Sequence, residues 1–159
     1  MASESNTSPP TSISMAELPE KLGQVLGTSS WIEIDQNRIN EFAACTEDRQ
    51  WIHVDPQRAQ KDSPFPDTVA HGFLTLSLLS RFVAECLVLR DAEVAINYGL
   101  NRVRFPHPVE VGRRLRGQLT LIQCEPIPNG IRYTLSVTIE IEGASKPACV
   151  AEAIFMASA

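Results

Sequence analysis

HGFLTLSLLSRFVAECLVL, residues 71–89, decides the fold. Read as a helix, it spreads Phe73, Leu74, Leu76, Leu78, Leu79, Phe82, Val83, Leu87, Val88 and Leu89 around most of the helical circumference. A helix that is apolar on nearly every side has to be surrounded by other structure. Arg81, Glu85 and several hydroxyls interrupt the stretch, which makes it a poor membrane span and a good buried helix. What surrounds it is legible downstream. Strand-like runs occupy Val94 to Phe105, Arg114 to Cys124, Ile131 to Glu142 and Ala148 to Met156. In the third, Ile131, Tyr133, Leu135, Val137, Ile139 and Ile141 alternate with polar residues, so one face is buried and the other is wet. PIPNG (126–130) and Gly143 to Pro147 supply turn chemistry between these runs and predict antiparallel hairpins.

Upstream, the alternation around Trp31, Ile32, Glu33 and Ile34 predicts a further strand. Asp35 then caps a helix that carries Ile39, Phe42 and Ala43 on one face and ends between Thr46 and Arg49. The segment that follows, RQWIHVDPQRAQKDSPFPD, holds three prolines and no sustained period. Long irregular excursions are uncommon in compact domains unless they carry a site. Within it, Asp55 and Pro56 predict a brief helix through Arg58 to Gln60. Leu18, Leu22, Val25 and Leu26 predict a short amphipathic helix over 15–26, with Gly27 as its stop. Residues 1–14, rich in Ser, Thr and Pro, are expected to form a floppy tail, and 15–159 a single domain. The element order is α+β: a curved antiparallel sheet wrapped around one central helix.

Composition agrees with that picture. A chain of 159 residues, 43% hydrophobic and 21% charged, is of the size and character of one globular domain. The formal charge of −5 and the lack of a basic stripe interleaved with aromatics argue against nucleic acid as a partner. Cys45, Cys86, Cys124 and Cys149 form no close C-x-x-C pair, so zinc and redox motifs are absent from the pattern. The N-terminus has no basic region followed by an apolar one, and reduced thiols in the cytoplasm are the expectation.

Of three histidines, His53 and His71 bracket the irregular excursion, and Asp48 precedes His53 by five residues. A carboxylate and an imidazole that reach one water molecule can take and return protons, a contribution of about 10²–10⁴-fold. Gly72 opens the central helix, where free backbone N–H groups can hold a developing negative charge. The plainer readings stand beside these. Asp48 can be a helix-ending surface residue, His71 and Gly72 a locally satisfied helix start, and Ser77 a hydroxyl bonded to its own helix.

FAACTEDRQWIHVDPQRA followed by TVAHGFLTLSLL resembles the signature of MaoC-like dehydratases, the R-specific enoyl-CoA hydratases of the hot-dog superfamily. VRFPHPVEVGRRL is similar to the strand and turn that follow the central helix in that family, and the likeness covers roughly residues 28–157. The resemblance implies a hot-dog fold and reversible hydration of a 2-enoyl-CoA to an (R)-3-hydroxyacyl-CoA. It places the catalytic aspartate on Asp48, the catalytic histidine on His53, the helix-start glycine that binds the thioester oxygen on Gly72, and an active-site serine on Ser77. It implies a homodimer with a pantetheine tunnel near the subunit interface and neither metal nor redox cofactor. His71, Trp51 as a wall or lid, and Asn101 are further candidate substrate contacts. Two departures stand out: Glu47 where many relatives have glycine, and Gln50-Trp51 where they have Asn-Pro, the latter similar to a bacterial sub-branch of hydroxyacyl-thioester dehydratases.

Two other functions remain open on sequence. A hot-dog thioesterase would use Glu85 on the central helix as its base, and a non-catalytic acyl-binding subunit would pair with an active partner. Five of the fourteen Lys and Arg residues, Arg102, Arg104, Arg113, Arg114 and Arg116, lie in one short stretch that could bind the nucleotide phosphates or simply form a solvated strand face. His107, between two prolines, has no assigned role.

Overall fold

The computed structural model describes residues 9–159. Three long strands, β6 (Arg114–Ile127), β7 (Gly130–Ile141) and β8 (Cys149–Ser158), form an antiparallel meander in which β7 pairs with both neighbours. The alternation read at 131–142 is realised: Ile131, Tyr133, Leu135, Val137, Ile139 and Ile141 are all buried. Tyr133 lies opposite Phe155 with ring centroids 5.4 Å apart, one of the cross-strand pairs that stabilise a sheet. β2 (Val25–Thr28) and β3 (Ile32–Glu33) add to β6, and β5 (Val94–Arg104) adds to β8, giving six strands in the order β2-β6-β7-β8-β5 with β3 beside β6.

The helix in the concavity is two pieces, α4 (Gly72–Ser77) and α5 (Leu79–Cys86). Phe82 is fully buried and sits over Gly117 of β6, where a Cβ would lie 2.8 Å from its ring. Sheet and helix can close to this distance because residue 117 has no side chain.

Several expectations are corrected. The helix does not run to Leu89: the backbone leaves helical geometry at Leu87, and Leu87–Leu89 form strand β4. β4 pairs in parallel with β1 (Thr11–Ile13), so part of the expected floppy tail is ordered, while residues 1–8 lie outside the described residues. Arg90 explains the order: it contacts the Ser12 carbonyl and pairs with Glu17 at 2.8 Å, and Asp91 accepts from the Met15 N–H at 2.8 Å. The helix expected over 15–26 is a single 3-10 turn, Leu18–Lys21, followed by β2, with Gly27 inside the strand. Gly23 at φ 78 and the Leu121 carbonyl, which accepts from its N–H at 2.8 Å, turn the chain onto β6 instead.

α1 (Gln36–Thr46) begins where expected, with the Asp35 carboxylate accepting from the Arg38 N–H at 2.8 Å. The excursion beyond it holds two short helices, α2 (Trp51–Val54) and α3 (Pro56–Asp62), the latter capped by Asp55. Segment Thr68–Ala70 then runs beside Val109–Val111 through backbone bonds of 2.7 and 2.9 Å before α4 begins. No helix among the described residues is long and apolar enough to cross a membrane.

Candidate active site

α1 ends on Glu47, whose φ of 63 puts a non-glycine residue in the left-handed region and swings Asp48 back toward the start of α4. The Asp48 carbonyl accepts from His71 Nε2 at 2.9 Å. A carbonyl can only accept, so Nε2 donates in that bond, and the other ring nitrogen is His71 Nδ1. That Nδ1 is buried and has no hydrogen-bond partner among the described residues. His71 also packs against Phe42 of α1 with ring centroids 5.1 Å apart.

His53, on the single turn of α2, stacks on His71 with centroids 3.8 Å apart and planes 25° from parallel. Its Nδ1 lies 2.6 Å from the Val69 carbonyl, which fixes the proton on Nδ1 and leaves Nε2 basic. Burial pushes the His53 pKa down; the Val69 bond opposes this, the neighbouring His71 adds to it, and Asp48 opposes it. Asp48, His53 and His71 each offer one polar atom within 4.8 Å of the others, with Asp48 exposed and both histidines buried.

Gly72 is the first residue of α4, directly after His71, and its N–H, like that of any first-turn residue, has no acceptor within its own helix. A Cβ there would lie 3.3 Å from the Phe105 ring, so the absence of a side chain also serves packing. Ser77 donates its hydroxyl to the Leu74 carbonyl at 2.7 Å, the local bond expected of a helix serine, and lines a cavity of about 230 Å³ between α4 and strands β5 and β8. A second cavity of about 500 Å³ shares Ser80, Asn97 and Phe155 with it and continues past Val83 toward Leu87. Trp51 is half-buried beside His53, with the Arg58 guanidinium 4.4 Å above its ring. Asn101 stands exposed on β5 at an irregularity in the pairing with β8, and no hydrogen bond among the described residues ties it to the Asp48 cluster.

The rival residues are occupied elsewhere. Glu85 accepts from the Ser30 N–H at 2.8 Å, the Ser30 hydroxyl at 2.7 Å and Arg81 at 2.9 Å. Burial works against its charge, but the Ser30 bonds and Arg81 outweigh it and hold the carboxyl below its ordinary value, which makes a weak base. Arg114 and Arg116 pair with Glu142 and Glu140 at 3.0 and 2.6 Å and flank Trp31, the solvated-face arrangement. Arg102 and Arg104 line a small cavity with Glu152, and Arg113 is exposed. His107 Nδ1 bonds the neighbouring Pro108 carbonyl at 2.7 Å. Sequence reading passed over Gln36, which joins α1 to α2 and to Thr68; only its position directly after a cap residue singled it out.

The MaoC-like domain model matches residues 17–142. The chain is 49% identical over 142 residues to the 3-hydroxyacyl-thioester dehydratase Z of Mycobacterium tuberculosis, covering 89% of this chain and 93% of that protein. It is 46% identical over 141 residues to nodulation protein N of Rhizobium leguminosarum, covering 87% and 88%. Among solved structures it is similar to the unliganded R-hydratase PhaJ1 from Pseudomonas aeruginosa, with a TM-score of 0.72 at 29% identity over 95% of this chain and 89% of that one. The (R)-hydratase from A. caviae involved in PHA biosynthesis superposes with a TM-score of 0.70 at 25% identity, covering 84% and 94%. With its curved sheet around a central helix and this match in sequence, the chain belongs to the MaoC-like dehydratase family of hot-dog proteins.

Proposed function

We propose that this protein reversibly hydrates a 2-enoyl thioester to the (R)-3-hydroxyacyl thioester, acting as a hydro-lyase. The observation that carries the reading is the meeting of Asp48, His53 and His71 within 4.8 Å beside the start of α4. Asp48 and His53 grip one water. A proton leaves that water, its oxygen bonds to the β-carbon, and the π-electron pair moves onto the thioester oxygen. The Gly72 N–H donates to that oxygen while the negative charge resides there. Collapse of the enolate takes a proton at the α-carbon from the Asp48 and His53 pair, which had received one from the water, so one water is added and no oxidant or reductant is consumed. His71 and Trp51 wall the site, and the acyl chain runs beside Ser77 toward Asn101 on β5. The substrate is carried on coenzyme A or an acyl carrier protein.

A homodimer in the cytoplasm fits the same reading. Among the described residues β5 pairs with β8 alone, leaving its outer edge unpaired, and it exposes Val94, Ile96, Tyr98 and Leu100 at 46–57%. A long apolar edge strand in a soluble protein calls for a partner. The four cysteines are free thiols.

The test is an assay with purified protein and short and long 2-enoyl-CoA, following loss of the conjugated absorbance and the handedness of the product. The expected result is an R product from the wild type, with Asp48→Asn and His53→Ala folded and reduced by about 10²–10⁴-fold. Release of free thiol would point to a thioesterase. Binding without turnover would point to a non-catalytic subunit, and either result rejects the proposal.

A further inference from the structure

We infer that Gln36 is a positioning residue that sets the ring orientation and tautomer of His53, an inference that rests on the reading of His53 as a catalytic group. The Gln36 side chain reaches from the first residue of α1 to the backbone of α2 and to the segment that precedes α4. Its Nε2 donates to the His53 carbonyl at 2.8 Å and to Asn40 Oδ1 at 2.9 Å, and its Oε1 accepts from the Thr68 hydroxyl at 2.5 Å. The orientation of the amide is dictated by its partners, because the His53 carbonyl can only accept and so must face the NH2 group. Both N–H bonds are then used, and the oxygen is left for Thr68.

The two long-range bonds are the important ones. His53 holds its imidazole by donating Nδ1–H to the carbonyl of Val69, the residue directly after Thr68. Gln36 therefore grips both ends of that contact, the backbone beneath the ring and the strand segment that orients it. The Val69 N–H, donating to the Ile52 carbonyl at 3.0 Å, supplies a further tie between the same two segments. Thr68 is fully buried and His53 is buried, so water does not readily replace either bond if the amide is lost. α2 is a single turn and cannot hold the ring by its own helical bonds. Without Gln36 the His53 carbonyl and Val69 can drift apart, the Nδ1 proton loses its fixed acceptor, and Nε2 is no longer held as the basic nitrogen.

Gln36→Met removes both bonds while keeping length, and Thr68→Val removes one while keeping shape. The expected result is a kcat lower by about ten- to a hundred-fold in each, with KM within about two-fold, since displacement rather than lost substrate contact is at work. The double variant is expected to be little worse than the poorer single one, because both break one lock. Thr68→Ser, which retains the hydroxyl, is expected to recover the kcat that Thr68→Val loses. Ring ¹⁵N shifts of His53 are expected to report a single Nδ1–H tautomer in the wild type and a mixture in Gln36→Met. A folded Gln36→Met variant with wild-type kcat overturns the inference, as does a fall in kcat with the tautomer unchanged. If Gln36→Met does not fold, the same two measurements on Thr68→Val decide. Asp48→Asn serves as the control: full activity there rejects the proposed function itself, whereas the tautomer readout still reports on the lock.

Discussion

At the scale of single residues, two side chains carry consequences that can be measured. His53 is held neutral by burial and by its stacked neighbour His71, against the pull of Val69 and Asp48, so its folded pKa lies below the ordinary 6.5. Below pH 6.5 the unfolded imidazole takes up a proton that the folded one refuses. The resulting contribution to stability is complete above 6.5 and is lost as pH falls through the lowered folded value. Urea midpoints should therefore decline below pH 6.5 more steeply in the wild type than in His53→Asn; parallel curves would contradict this. The acid limb of kcat/KM should likewise fall below 6.5, because the proposed reaction needs a free Nε2. Glu47 is the second case. It occupies a left-handed conformation at the C-terminal end of α1, where its charge also faces the negative end of the helix dipole. Glu47→Gly relieves a conformational cost of roughly 1–2 kcal/mol, partly offset by the greater freedom of glycine when unfolded. A thermal midpoint raised by a few degrees, with kcat retained, is expected, and a lowered midpoint would show that Glu47 makes a contact worth more than the strain.

At the scale of elements, the closeness of α5 to β6 is the feature most exposed to a single change. Gly117→Ala would place a methyl 2.8 Å from Cβ, Cγ and Cδ2 of Phe82, which is fully buried. The expected loss is about 1–3 kcal/mol, read as a lower denaturant midpoint at unchanged slope. A cycle with Phe82→Ala, which removes Cγ and Cδ2 from the contact and keeps only Cβ, should recover part of the Gly117→Ala cost as a sub-additive loss. No recovery would mean that the cost lies in the strand rather than in the helix contact. Elements also show where local pattern is enough and where it is not. Asp35 and the helix it caps, the Asp55-Pro56 start of α3 and the alternation of β7 are visible in sequence because each depends on neighbours a few residues away. β1 and β4 are not, since three-residue strands have too little pattern of their own and exist by pairing with each other across the chain.

At the scale of the whole molecule, β5 is the unfinished part. Eleven residues long, with one edge unpaired among the described residues and apolar residues exposed along it, it is the surface that the proposed homodimer would bury. Wild-type protein should elute as a dimer in light-scattering chromatography, and Tyr98→Lys or Ile96→Lys should shift it toward monomer with loss of turnover. A wild-type monomer at micromolar concentration would reject the homodimer and favour a different partner for this edge.

Asp48, His53, Gly72 and Ser77 stand out in the sequence as candidates through a motif and through the irregular excursion beside it, and the greasy stretch 71–89 with the alternating runs after it was enough to choose the fold. These features are legible because periodicity, caps and motif spacing are local properties of the chain. Tertiary structure alone decided that His53 stacks on His71, that Val69 holds the His53 proton, that Gln36 ties His53 and Thr68 to α1, and that Glu85 is occupied by Ser30. Each of those joins groups from different segments whose approach is set by the packing of helix on sheet, and no spacing within one segment encodes it.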